Sequence, residues 1–381
     1  MSAQEKQSRK SKVRVAHIFL EFPVGGAEDL VRLMLRSEIQ IEHRLICLKA
    51  AGAIGEELGK EGVAFDCPGW IKGKRFSLPT AFRLSKWLSK NEINIIHSHV
   101  YNAHVYAGIA AYLLGLPHVM HHHKTWSRPR LHRQIILHWL NRRAAHHITL
   151  SEQTRQDLVS RFQLKPQQVT PLSNPIDCAD FYPSNDTQAL RSQLQIPRDR
   201  FIVGNIASLR VQKNHLTLTK AIELATRKHG FKGRIYLLGE GPERPQLETF
   251  IKAHRLSNII LAGNQRPISP WLRALDLMVL PSTWEGQPMV LLQALQCKVP
   301  ILASRIEAHI DLLGHDHPGL FDALSSDNLA QLLARAENDP QWCQLILTYQ
   351  DRLAQRLTTI EEYGTELASL YRQVLSEPSP R

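Results

Sequence analysis

The sequence predicts an α/β protein built from two doubly wound parallel-sheet domains, and three observations carry that prediction. Short apolar runs alternate with helical stretches along nearly the whole chain, and strands separated by helices imply a parallel sheet. The chain has 381 residues, more than one domain usually holds. Residues 277–304 give the repeating unit in miniature. Leu277-Met-Val-Leu280 is a buried strand end, and Pro281 to Gly286 is a turn-rich loop. Pro288 falls where a first helical residue tolerates proline, a helix follows over 289–296, and the next strand covers 299–303.

The elements follow in order. Residues 13–20 form a strand, Gly25-Gly26 allows a tight turn, and a helix runs over about 27–36. Strands follow at 44–48 and 63–65, then an amphipathic helix at 80–89. A strand at 93–97 leads into Ser98-His99, and the helix at 106–114 stops at Gly115-Leu-Pro117. Residues 118–124 run from strand into loop, and 145–150 are a strand before the helix cap Ser151. Residues 183–199 read as an interdomain stretch with one short helix at 187–194. The second alternating domain has strands at 201–207, 234–238 and 259–262, and its helices include 328–337 and 342–356. A last amphipathic helix covers 361–375. No repeat of 20 to 50 residues interrupts this order. The expected organisation is a disordered tail at 1–12, one domain over 13–182, a second over 183–358, and the terminal helix from 359.

Composition narrows the class. Hydrophobic residues make up 43%, ordinary for a soluble protein. No apolar run reaches the ~18 residues of a spanning helix, and residues 1–12 lack the apolar core of a signal peptide. The five cysteines are scattered without a Cys-x-x-Cys, so neither a zinc knuckle nor a disulfide framework is indicated, and a cytoplasmic location is expected. The net charge of +12 favours an anionic partner.

Several side chains carry candidate chemistry. Glu285 is the one carboxylate in the 281–286 loop, just ahead of a helix N-terminus suited to a phosphate. Beside a phosphate, a carboxylate is placed to accept hydroxyl protons from an attached sugar. Lys213 follows the first strand of the second domain. His99, His121, His122 and His123 gather at strand ends. Zinc is one reading of them, but consecutive residues of a strand point to opposite faces, so three in a row cannot converge on one ion. Residues 124–143 hold six Arg or Lys and no carboxylate, interleaved with Trp126, Trp139, Ile135 and Ile136. That pattern fits an anionic membrane surface or a solvated helix face equally well. Nucleic acid is not expected, because no binding motif accompanies the charge.

The 280–304 stretch resembles the retaining GT-B glycosyltransferases of family four. Pro281-Ser282 and Glu285-Gly286 match that family's pattern, in which a second Glu stands eight residues after the first; here that position is Gln293. Lys298 stands where the family has Gly. Gly25, Gly26 and Glu28 match the family's first-domain loop, and Leu172-Ser-Asn-Pro-Ile-Asp177 resembles its interdomain junction. The resemblance implies two Rossmann-like domains facing a cleft, with the terminal helix crossing back to the first. It implies that Glu285 and Gly286 hold the donor sugar, Gln293 the ribose, and Lys213 the diphosphate. Arg210 replaces a family Arg that would fall at Ser208. Gly241, Asn264, Gly25 and Gly26 complete the donor site, with His123 (His121 and His122 remaining open) as the histidine beside the sugar.

The implied activity is retaining transfer from a nucleotide-sugar, UDP-linked by expectation, to a glycan or lipid-linked acceptor in cell-envelope polysaccharide or lipopolysaccharide synthesis. The enzyme would work at the inner face of the plasma membrane. No cofactor or metal is expected, since Asp-x-Asp is missing from the sequence. The alternatives are a catalytically impaired sugar-nucleotide-binding protein, motivated by Ser208, Gln293 and Lys298, and a sugar-nucleotide epimerase.

Overall fold

The computed structural model describes residues 13–21, 30, 32–35, 41–60, 62–63, 65–73, 76–123 and 131–377. The expected tail at 1–12, the Gly25-Gly26 loop with Glu28, and residues 124–130 lie outside the described residues.

Two compact units divide the chain, residues 1–175 with 360–381 and residues 176–359. The first holds a seven-stranded sheet: β1 (Val13–Glu21), β2 (Ile41–Ala50), β3 (Phe65–Asp66), β4 (Ile95–His99), β5 (His118–His122), β6 (His146–Thr149) and β7 (Val169–Pro171). Their order is β3-β2-β1-β4-β5-β6-β7, with every pairing parallel. Helices cover both faces, so successive strand residues are buried in turn. Ala16, Ile18 and Ile96 pack with helices Leu78–Lys90 and Tyr101–Leu114. Val15, Ile95 and Val119 take the other face, under Tyr363, Leu367, Tyr371 and Val374 of the last helix, Ile360–Ser376. A fully buried side chain such as Leu367 contributes about 1.5–3 kcal/mol.

The second unit holds β8 (Ile202–Ile206), β9 (Arg234–Leu238), β10 (Ile259–Gly263), β11 (Leu277–Leu280), β12 (Ile301–Ser304) and β13 (Leu320–Phe321). The order is β10-β9-β8-β11-β12-β13, again all parallel. Leu277 and Val279 face one helical layer, Met278 and Leu280 the other, and all four are fully buried. The strand order reverses between β8 and β11. In open α/β sheets ligands bind beyond the carboxyl ends of strands at such a switch point.

Several boundaries differ from the sequence expectation for local reasons. β4 starts at Ile95, two residues late, because Asn94 is engaged with Arg14: its N–H donates to the Arg14 carbonyl and its side-chain oxygen accepts from the Arg14 N–H. β12 starts at Ile301, because Pro300 has no N–H to give; its carbonyl still accepts from Met278 N at 2.9 Å. Pro288 is the residue before the helix Met289–Gln296 rather than its first. The helix expected from 106 begins at Tyr101, behind Val100 held at φ +64°. Ile176 and Phe181 are buried in the second unit's core, so the units divide at 175/176 rather than 182/183.

Candidate functional site

The second unit's candidate site is built from the loops that leave β8, β9 and β11 at their carboxyl ends. After β8, a 3₁₀ turn at Val211–Lys213 aims the Lys213 side chain back toward β11. Asn214 follows in the left-handed region at φ +52°; its amide donates to the carbonyls of Pro281 (3.1 Å) and Ala323 (2.9 Å). The Thr283 N–H donates to the Gln212 carbonyl at 2.9 Å. These bonds tie the two loops on either side of the switch point into one rigid piece.

Two glycines make the neighbouring approach possible. A Cβ at Gly239 would lie 2.0 Å from the Ala207 carbonyl oxygen, and one at Gly241 2.3 Å from that of Leu209. With no Cβ in the way, Leu209 N donates to the Glu240 carbonyl at 2.9 Å and Glu243 N to the Leu209 carbonyl at 3.0 Å. The loop after β9 therefore braces the loop carrying Lys213.

Glu285 and Lys213, 72 residues apart in sequence, meet here: Lys213 Nζ lies 2.5 Å from Glu285 Oε1. The Ser282 hydroxyl donates to the same oxygen at 2.6 Å. Glu285 is 8% exposed and Lys213 16%, so the pair is largely withdrawn from water. Both bonds use Oε1, and Oε2 takes none among the described residues. A carboxylate has about four lone-pair sites. Oε2 can therefore accept from a ligand hydroxyl while the ammonium, with two further donors, faces an anion.

A layer behind this pair fixes it. The Ser304 hydroxyl donates to the Ser282 carbonyl at 2.5 Å, and His309 Nδ1 donates to the Ser304 carbonyl at 2.8 Å. Burial pushes His309 down to about 4, partly opposed by its bond to Ser304 and the charge of Glu285, so the ring is neutral at pH 7. The sequence reading missed Ser282, Asn214, Ser304 and His309. Asn214 and Ser282 stand within the stretches already singled out, one residue after Lys213 and three before Glu285. Ser304 ends β12, His309 lies in the helix after it, and neither carried a motif.

The remaining expected residues distribute unevenly. Gln293 lies on the helix Met289–Gln296, 3% exposed, and its Oε1 has no hydrogen-bond partner among the described residues. A buried unpaired acceptor costs about 1–3 kcal/mol, and a ligand hydroxyl would recover part of that. Arg210 is exposed and makes no side-chain hydrogen bond among the described residues. Asn264 is exposed beyond β10, and Gly286 is half-buried. Lys298 turns at φ +55°, which accounts for a glycine in the family pattern. Its ammonium pairs with Asp351 at 3.1 Å. It precedes β12 at the sheet's amino edge, at the opposite end from the Glu285 loop.

Gln293→Glu is expected to leave ligand affinity unchanged or to tighten it by on the order of 1 kcal/mol, because a carboxylate makes charge-assisted bonds to hydroxyls. The ligand-free protein should lose stability, since the new charge would be buried. Calorimetric titration together with thermal melting checks both; loss of binding would mean a site built around a neutral amide.

In the first unit, His123, one residue past β5, stacks on His121 at 4.0 Å, while His122 takes the other face of the strand, bonding His147 Nδ1 at 3.1 Å. His123 is half-buried and meets His99 at 3.0 Å. His121 is fully buried, with neither ring nitrogen partnered among the described residues.

Comparison with known proteins adds a family context. Residues 24–180 match the family described as Glycosyltransferase Family 4, and residues 200–339 match Glycosyl transferases group 1. The chain is 25% identical over 349 residues to the Escherichia coli UDP-Gal:alpha-D-GlcNAc-diphosphoundecaprenol alpha-1,3-galactosyltransferase, covering 87% of this chain and 90% of that one. It is 28% identical over 174 residues to the lipopolysaccharide core biosynthesis mannosyltransferase LpsB of Rhizobium meliloti, covering 44% and 49% respectively. The fold matches Anabaena HepE in complex with UDP and glucose, with a TM-score of 0.81 at 20% identity over 94% of this chain and 99% of that one.

Proposed function

Since the chain belongs to the GT-B glycosyltransferases, with a family 4 domain followed by a group 1 domain, we propose that it moves a hexose with retention from a UDP-sugar to a lipid-linked glycan acceptor of the cell envelope. The observation that carries this reading is the Lys213–Glu285 pair at the switch point of the second sheet. UDP as the donor nucleotide is supported by the galactosyltransferase relative and by the UDP bound to Anabaena HepE.

The chemistry follows from the residues. Glu285 Oε2 accepts donor-sugar hydroxyls and orients the anomeric carbon. Lys213 offsets the charge that grows on the leaving diphosphate, the kind of preorganised stabilisation that contributes most to such reactions. Gln293 Oε1 accepts a ribose hydroxyl. The acceptor attacks from the face the nucleotide leaves, and the departing phosphate takes its proton. Transfer on this account needs no metal. His123 and the Gly25-Gly26 loop are assigned to the donor on the family pattern.

The acceptor side is proposed to meet an anionic membrane surface through the helix Leu131–Arg143. Ile135 is 67% exposed and Tyr112 61%, and Ile136 and Trp139 are also exposed. The Arg143 guanidinium lies over the rings of Tyr112 and Trp139, and Arg142 and Arg161 line the same groove. Aromatic and aliphatic side chains beside arginines suit the headgroup boundary. No helix among the described residues is long and apolar enough to cross a membrane. Binding to vesicles containing phosphatidylglycerol is expected to weaken steeply as the screening length falls to about 3 Å at 1 M salt. Arg142→Ser with Arg143→Ser should weaken it further; salt-independent binding, or none, would leave this helix a solvated face.

The activity is tested by incubating the protein with a panel of nucleotide-sugars, with and without a polyprenyl-diphosphate-linked acceptor, and measuring free nucleotide. Acceptor-dependent release is expected. Release or interconversion of the donor without acceptor would indicate an epimerase, and no release with any donor a binding protein.

A further inference from the structure

The first unit contains a second built site, separate in sequence and chemistry from the Lys213–Glu285 pair. His17 of β1 pairs in register with His97 of β4, and His97 and His99 stand two apart on the same strand, so all three share a face. That face carries Val15 and Ile95 further down, beneath the terminal helix. All three rings are buried, at 2%, 0% and 1% exposure. One ring nitrogen from each lies within 4.8 Å of one from each of the others. His17 Nδ1 and His99 Nε2 are 3.1 Å apart. Two imidazole nitrogens bound tetrahedrally to one zinc at 2.0–2.1 Å would lie about 3.3 Å apart.

The outer nitrogens are held as metal ligands usually are. His17 Nε2 meets His43 Nδ1 at 2.8 Å, His99 Nδ1 meets His123 Nε2 at 3.0 Å, and His97 Nδ1 meets the Tyr371 hydroxyl at 2.5 Å. Such second contacts fix the ring's orientation and tautomer. With Tyr371 accepting from Nδ1, His97 Nε2 presents a lone pair, and it has no partner among the described residues. His121, also fully buried, stacks on His97 at 5.5 Å and lies tilted at 5.5 Å from His99, with both its nitrogens unpartnered among the described residues. Buried ring nitrogens left this way are rare, and each asks for a missing partner. Burial, reinforced by neighbouring rings, holds His17, His97 and His99 well below the ordinary histidine range.

We propose that His17, His97 and His99 bind one divalent cation of borderline softness, zinc being the best fit to an all-imidazole set. Such ligands suit zinc, copper or nickel rather than magnesium or calcium. The cluster offers no carboxylate to balance the ion. Its fourth position therefore takes a water, which a three-histidine zinc site ionises near pH 7, and His121 hydrogen-bonds that water. The ion joins β1 to β4 and, through Tyr371, to the terminal helix. A second group, His99, His121 and His123, is also close enough. It is the weaker set, because His123 is only half-buried and the orphaned His97 nitrogen would stay unused.

The test uses untagged full-length protein stripped with EDTA and titrated with zinc against a chromophoric chelator. One equivalent per chain, bound with submicromolar affinity, is expected. Cobalt(II) in place of zinc should give the intense visible absorption of a four-coordinate site. His97→Gln should weaken zinc at least 100-fold and abolish that absorption; His122→Gln, on the opposite face of β5, should keep both. If His97→Gln fails to fold, the wild-type cobalt spectrum decides alone. No stoichiometric zinc, a weak six-coordinate cobalt spectrum, or a folded His97→Gln that binds like wild type would overturn the proposal.

Discussion

Glu285→Gln is expected to cut sugar transfer by roughly 10²–10³-fold, the range seen when one preorganised electrostatic contact is lost from a reacting centre. The substitution keeps the shape and one acceptor oxygen but removes the charge that holds Lys213. Ser282 can still donate to the amide oxygen. Lys213 would lose its partner while 16% exposed, so part of its hydration can return. The stability loss should stay at about 1–3 kcal/mol, small enough for the variant to fold. Turnover and melting must be measured on the same preparation. Near-normal transfer by a folded variant would remove Glu285 from the site.

Acidification is expected to unfold the first unit well before the second. Nine buried histidines of the first unit and the half-buried His43 have lowered affinity for protons: His17, His97, His99, His104, His118, His121, His122, His146 and His147 are the nine. Burial is the leading cause in each. The second unit has three, His215, His309 and His317, each pushed down to about 4. The sign follows from which state binds protons. Above the unfolded value of about 6.5 both states are neutral and full stability is present. Below it the unfolded chain takes up protons that the folded chain refuses, so stability falls with pH until the folded values are reached. Each such histidine contributes a slope of up to about 1.4 kcal/mol per pH unit. With more such histidines, the first unit loses stability more steeply than the second as pH falls below the unfolded value. Limited proteolysis between pH 7 and pH 4 should release cleavages within 13–175 first. Simultaneous loss of both units, or loss of the second first, would contradict this account.

Much of the fold was legible because its strands are continuous apolar runs. Arg234–Leu238 and Leu277–Leu280 fall where the sequence placed them. Where boundaries slipped, a single residue decided the matter: Asn94 capping a strand start through Arg14, Pro300 lacking an N–H, Val100 turning ahead of a helix. The helices Gly52–Lys60, His215–His229 and Arg244–Ala253 were not anticipated. His215–His229 follows a left-handed Asn214 without a side-chain cap bond and opens with alternating Leu and Thr, which blurs the helical period. At the candidate site, Glu285 and Lys213 were visible through motif and loop position, but their direct pairing was not, since nothing in sequence separation reports it. The histidine cluster was half visible. His99 and the run 121–123 drew attention, whereas His17, His43 and His97 join them only through strand register. The spacing of two in His97-Ser-His99 and His121-His-His123 was the available sign that these rings share a face.

The central claim is that the Lys213–Glu285 pair at the switch point of the second sheet binds the diphosphate and sugar of the donor. Calorimetric titration of wild type and Lys213→Gln with the UDP-sugar that supports transfer tests it most directly. One site per chain in wild type, and binding weakened about 10-fold or more in Lys213→Gln, is the predicted result, given that a hydrogen bond to a charged group contributes about 1.5–3 kcal/mol. Equal affinity in the two proteins, with Lys213→Gln still folded, would contradict it.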